Sequence, residues 1–150
     1  TIEKIIESYT TSKYFLDYKE YFVELYQKKW DMLFELNYEI LKKIIEWLGI
    51  KIKIVRESEL DIVGKSTQKL VNICKALDAE TYISGSGGKN YLNEKLFDDE
   101  NIKLKYQNYK PVLYQQNLSK DFVPNLSIID LLANSGKDSL KIILEQNELK

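Results

Sequence analysis

Hydrophobic positions in the first third of the chain recur every three to four residues. Ile2, Ile5, Ile6 and Tyr9 form one helical stripe. Thr10-Thr11-Ser12 interrupts it with short side-chain oxygens suited to capping the next segment. From Tyr14 to Leu48 the helical spacing resumes. Tyr14, Tyr18, Phe22 and Leu25 trace one stripe, broadened by Phe15 and Tyr26; Leu33, Leu36, Ile40, Leu41, Ile44, Ile45 and Leu48 trace another. So long a stretch is unusual for one globular helix. A single kinked rod and two helices broken between Gln27 and Asp31 fit it equally, and Gly49 closes it.

The period then changes. Ile50, Ile52, Ile54 and Val55 follow a spacing near two and predict a strand. Ser66 to Asp78 predicts a helix with Leu70, Val71, Cys74 and Leu77 inward. Thr81 to Ile83 predicts a second strand running into Ser84-Gly85-Ser86-Gly87-Gly88-Lys89, and Asn90 to Phe97 a short helix. Ile102, Leu104 and Tyr106 alternate with Lys103 and Lys105 as a third strand. Pro111 keeps Tyr109–Tyr114 extended, and residues 117–124 read as a loop. Ser127-Ile128-Ile129-Asp130 starts a helix that stops at Asn134-Ser135-Gly136, and Asp138 to Gln146 forms a last one. Strands joined by long helical connections predict an α/β fold: a small, mainly parallel sheet flanked by helices, with a long N-terminal helical hairpin or kinked helix.

Composition narrows the function classes. A chain of 150 residues suits one domain, in which residues 1–48 are the helical part and 50–150 the α/β part. Lys plus Arg number 22 against 23 Asp plus Glu, a balance lacking the basic surplus that duplex binding needs, so no nucleic-acid partner is expected. The absence of histidine removes a His general base and His-containing zinc sites. Cys74, alone, forms neither an internal disulfide nor a thiolate metal site, and reads as a small buried hydrophobe. With no apolar run of membrane-spanning length and no signal-peptide pattern, the expectation is a cytoplasmic protein without a membrane span, metal or cofactor.

Candidate chemistry lies where the strands end. Three glycines within Gly85–Gly88, with Ser84, Ser86 and Lys89, read either as a flexible turn or as a loop for an anion or sugar ligand. The segment matches neither the Walker A nor the dinucleotide fingerprint, because Ile83 and Asn90 stand where those motifs require other residues. Glu59 reads as a base or as a solvated turn residue, with Ser58 beside it as a ligand contact. Asp130, in the first turn of its helix, reads as a capping group or a catalytic acid. Tyr91 and Tyr114 offer rings with hydroxyl tips for a sugar or base, and Gln115 extends that polar lining.

Ser58-Glu59-Leu60, Tyr82 through Leu92, Tyr114-Gln115, and Phe122 through Leu132 followed by Asn134 and Gly136 resemble the WbqC-like family. The resemblance implies that the chain corresponds to the C-terminal two thirds of such a protein, without the family's Met-Gln-Pro-containing N-terminal region. Where the family often carries a larger apolar residue, this chain has Ala133. The family is associated with bacterial surface-polysaccharide and O-antigen gene clusters, and transfer of glycine or another aminoacyl group to sugars has been suggested for it. The resemblance therefore implies an acyl- or aminoacyl-transferase for an amino or nucleotide-linked sugar, or a non-catalytic sugar-nucleotide- or partner-binding domain in the same pathway. The partners it implies are an activated or nucleotide-linked sugar and a small acyl or aminoacyl donor. A second copy of the chain, meeting it through the long amphipathic helices, or contact with the absent N-terminal portion is the further partner expected.

Overall fold

The structure, a computed structural model, describes residues 1–117 and 121–146. Residues 118–120 of the expected 117–124 loop lie outside the described residues. The chain divides into two compact units. Thr1–Lys51 and the described residues from Lys110 onward form the first, and Ile52–Tyr109 the second.

The first unit is helical. It contains α1 (Ile2–Tyr9), α2 (Leu16–Gln27), α3 (Leu33–Trp47), α6 (Ile128–Ser135) and α7 (Ser139–Gln146). Its core joins Phe15, Tyr18, Phe22 and Leu25 to Leu132 and Ala133 of α6, with Trp47 packed edge-on to Tyr18 and Tyr21. The long helical stretch is thus two helices. Neither proline nor glycine separates them; Lys28 turns extended, and the Trp30 indole N–H donates to the Leu25 carbonyl at 3.0 Å. That bond satisfies a carbonyl of the last turn of α2, which the helix leaves without an internal partner. Gly49, at φ +66°, ends α3 as expected.

The Tyr14 amide donates to the Ala133 carbonyl at 2.9 Å, tying the α1–α2 turn to α6. Gly136 follows α6 at φ +55°, and a Cβ there would lie 2.7 Å from the Tyr14 ring. Glycine is thus required twice, by backbone conformation and by the closeness of the aromatic ring.

The second unit contains α4 (Ser66–Ala76), β1 (Thr81–Ser84), α5 (Lys95–Asp98) and β2 (Lys103–Tyr106). The strands pair in parallel with Thr81 opposite Lys103 and Ser84 opposite Tyr106. Val71 and Cys74 of α4 pack on Phe97 and Ile102, and the Phe97 ring stacks on Tyr82 at 5.2 Å.

The α/β expectation is corrected here. Helix accounts for 54% of the described residues and strand for 6%, in one open two-stranded sheet, so the fold is predominantly helical. Ile50–Val55 forms no strand, and Ile52 is 56% exposed. Alternation prescribes which faces a segment would present, but a ladder also needs a neighbour whose hydrogen-bonding groups are free. The helix expected over Asn90–Phe97 is likewise replaced by a 3₁₀ turn, Ser86–Asn90, and the single turn α5. Both Tyr91 and Leu92 donate their amides to the Gly88 carbonyl, and the Asn93 amide leaves the helical path to reach Thr67 Oγ1 at 3.1 Å.

Candidate functional site

The expected site residues fall into both units. Ser58, Glu59, Ser84–Lys89 and Tyr91 belong to the second, whereas Tyr114, Gln115 and Asp130 belong to the first.

In the second unit, Glu57–Glu59 is a 3₁₀ turn with Ser58 and Glu59 exposed. The Arg56 guanidinium donates to Glu59 through Nε at 2.7 Å and also through Nη2. These bonds, and one from the Arg56 amide, hold the Glu59 carboxyl below its usual range. Glu59 is therefore an ionised, paired group. Glu57 is bonded to Lys69 at 2.7 Å.

The glycines of the next segment have different duties. Gly88 is buried, and a Cβ on it would meet Ser84 Oγ at 2.1 Å and Leu92 Cδ1 at 3.0 Å. Packing against β1 requires that glycine. Gly85 and Gly87 face open space, so their backbone is approachable. Ser84 is buried, its Oγ donating to the Gly85 carbonyl at 3.1 Å, while Ser86 is exposed. Lys89 stands over the Tyr106 ring, 5.3 Å from its centroid, and Tyr91 is 69% exposed. The Gly88 amide donates to the Gly85 carbonyl within the turn.

The first unit holds the more unusual arrangement. Ser127 caps α6, its Oγ accepting from the Ile129 amide at 3.4 Å. Asp130, three residues on, is fully buried. The Tyr114 hydroxyl donates to Asp130 Oδ2 at 2.7 Å, while Oδ1 has no hydrogen-bond partner among the described residues. The carboxylate is thus turned into the unit instead of back to the cap, and half of its accepting capacity is unused. An unpaired buried carboxylate oxygen is expensive, on the order of 1–3 kcal/mol or more.

Surrounding side chains hold this carboxylate in place. Gln116 Nε2 donates to the Tyr114 hydroxyl at 3.3 Å and to the Val123 carbonyl at 2.9 Å, and its Oε1 accepts from the Val123 amide at 2.8 Å. The Phe122 ring packs edge-on to Tyr114. Burial, then the bond to Asp130, raises the Tyr114 phenol well above its ordinary range. Burial, the Asp130 charge and a hydrogen bond to the Asp130 side chain push Tyr9 up to about 12. Both phenols remain protonated donors at neutral pH. Asn134 lies one turn beyond Asp130, with its Nδ2 donating to the Asp130 carbonyl at 2.8 Å and its buried Oδ1 without a partner among the described residues. Gln115 is exposed.

Tyr9 and Asn134 were not among the residues expected at the site. The spacing of Asn134 from Asp130 places both on one face of α6 and carried a local signal; Tyr9 is too distant in sequence for any local pattern to show the contact. Among the described residues, no group of three or more Cys, Asp or Glu side chains is arranged to hold a metal, and no helix is long and apolar enough to cross a membrane.

Comparison with known proteins places these residues in context. The chain is 26% identical over 133 residues to the uncharacterized protein Rv1507c of Mycobacterium tuberculosis, a match covering 88% of this chain and 58% of that protein. The chain thus spans less than two thirds of the length of this curated relative. No solved structure matches it. Residues 1–142, which carry Asp130 and its neighbours as well as the glycine turn, match the WbqC-like protein family, and the chain belongs to that family.

Proposed function

We propose that the protein is an acyl- or aminoacyl-transferase acting on an amino or nucleotide-linked sugar in bacterial surface-polysaccharide (O-antigen) biosynthesis. Family membership supports the pathway. The observation that carries the chemistry is the buried Asp130, with one oxygen fixed by Tyr114 and the other unspent. A group held in this way orients an acceptor through Oδ1 and takes its proton, as a positioned general base does. The acceptor lone pair forms a bond to the donor's carbonyl carbon, the bond to the leaving group breaks, and the proton passes through Asp130 to that leaving group. Tyr114 and Tyr9 keep the carboxylate oriented throughout. Asp130 is closed to solvent in this conformation, so an acceptor reaches it only when the packing around Oδ1 opens while Tyr114 stays on Oδ2.

The glycine turn contributes separately. Within the second unit taken by itself, Gly85 and Gly87, open on one side, and the exposed Lys89 are suited to a phosphate group. Glu59, in the same unit as the glycine turn, is available to a ligand there only if its ion pair with Arg56 opens.

The test is incubation of the chain with uridine-diphosphate-linked glucosamine and an aminoacyl thioester, following the mass of the sugar. A gain of one aminoacyl group, abolished by Asp130→Asn, is expected. Transfer undiminished in that variant would overturn the role of Asp130. Saturable sugar binding without product would replace the transferase by a binding domain.

A further inference from the structure

We infer that the Asp130 site takes its ligand as a protonated primary amine; the inference rests on the acceptor-binding role proposed above for the same carboxylate. It follows from counting donors and acceptors. Asp130 Oδ1 is a carboxyl oxygen, buried and without a hydrogen-bond partner among the described residues. Asn134, one helical turn on, has committed its donor end to the Asp130 carbonyl at 2.8 Å, which leaves the acceptor Oδ1 unspent. That bond also fixes the orientation of the amide, because a flip would set two oxygens against each other. Tyr114 has spent its proton on Oδ2 and accepts from Gln116, and Tyr9, the second phenol bonded to the Asp130 side chain, still leaves Oδ1 without a partner among the described residues.

The unspent capacity on this face of α6 therefore consists of acceptors beside a negative charge. A sugar hydroxyl brings one donor and no charge. A primary ammonium brings three donors, no acceptor and a compensating charge, which is what an uncompensated buried carboxylate requires.

This sharpens the acceptor from any sugar nucleophile to an amino sugar, or an equivalent primary amine. It also sets an order of events. The ammonium binds charged and gives one proton to Asp130; its freed lone pair then forms the new C–N bond as the donor's bond to the leaving group breaks, Asp130 passes its proton to that leaving group, and the second proton shed by nitrogen goes to water.

The experiment is titration calorimetry of the full chain with glucosamine and with glucose, at pH about 6, where an ordinary amine is charged. Glucosamine is expected to bind and glucose to bind at least about 30-fold more weakly, as loss of a charge-assisted contact implies. Asp130→Asn, checked for folding by circular dichroism, should lower glucosamine affinity about 30-fold. Asn134→Ala should lower it several-fold and serves if the first variant does not fold. Equal binding of the two sugars, or full glucosamine affinity in a folded Asp130→Asn or Asn134→Ala chain, would overturn the inference. The two readings fail separately. Glucosamine binding without aminoacyl transfer keeps the ammonium site and removes the transferase, whereas transfer to the hydroxyls of glucose keeps the transferase and removes the ammonium site.

Discussion

Replacing Tyr114 with Phe removes one hydroxyl and leaves the ring against Phe122. The lost bond is the 2.7 Å donation to Asp130 Oδ2, and Asp130 Oδ1 is already without a partner among the described residues. A hydrogen bond to a buried charged group contributes about 1.5–3 kcal/mol. The partial offset is small: the Tyr114 hydroxyl no longer needs desolvating, and Gln116 keeps both bonds to Val123. The net loss is about 2 kcal/mol, which for a chain of this size lowers Tm by roughly 4–8 °C. Tyr106→Phe is the control, since its hydroxyl makes a 2.8 Å bond to Glu94 at the surface. The chemistry is the same and the burial differs, so its Tm should move far less. Calorimetric melting of the two variants beside the parent at neutral pH decides the point. A Tyr114→Phe shift no larger than that of Tyr106→Phe would refute the claim that Asp130 is a buried, under-satisfied carboxylate.

Further outcomes follow from the same geometry. Gly88→Ala should destabilise the chain by about 1–3 kcal/mol, through overpacking against Ser84 and Leu92, while Gly85→Ala should be neutral or slightly stabilising in denaturant melts. Gly136→Ala combines positive φ with a Cβ 2.7 Å from the Tyr14 ring, and should reduce the denaturation midpoint at least as much as Gly88→Ala. Phe97→Ala should cost about 3–5 kcal/mol by emptying the core of the second unit, measured by urea unfolding. At alkaline pH, the native state holds the Tyr9 proton above pH 10, where the unfolded chain releases it. The stability from Tyr9 is full below pH about 10 and is lost as pH rises through about 12, so ultraviolet titration should show this tyrosine ionising late and together with unfolding.

The local features were legible in the sequence. Ser127 caps α6, Gly49 closes α3, and the two segments that pair as β1 and β2 were both recognisable from alternation. What escaped depends on contacts between distant residues. Trp30 ends α2 by turning its indole back to Leu25, an event that leaves no proline or glycine as a mark. Ile50–Val55 has the period of a strand without a partner, so alternation alone overstates the sheet. The glycine run looked uniform, yet the side chain of Ser84 separates Gly88 from its neighbours. Asp130 was identifiable as a first-turn acid, but whether it capped the helix or faced inward depended on Tyr114 and Tyr9, which reach it from elsewhere in the chain.

The most direct measurement is a crystal structure of the chain with glucosamine. The ammonium nitrogen should lie about 2.7–2.9 Å from Asp130 Oδ1, the distance of a charge-assisted bond, with Tyr114 still on Oδ2. A structure in which Asp130 Oδ1 accepts from a protein amide or side chain, with the sugar bound elsewhere, would contradict it.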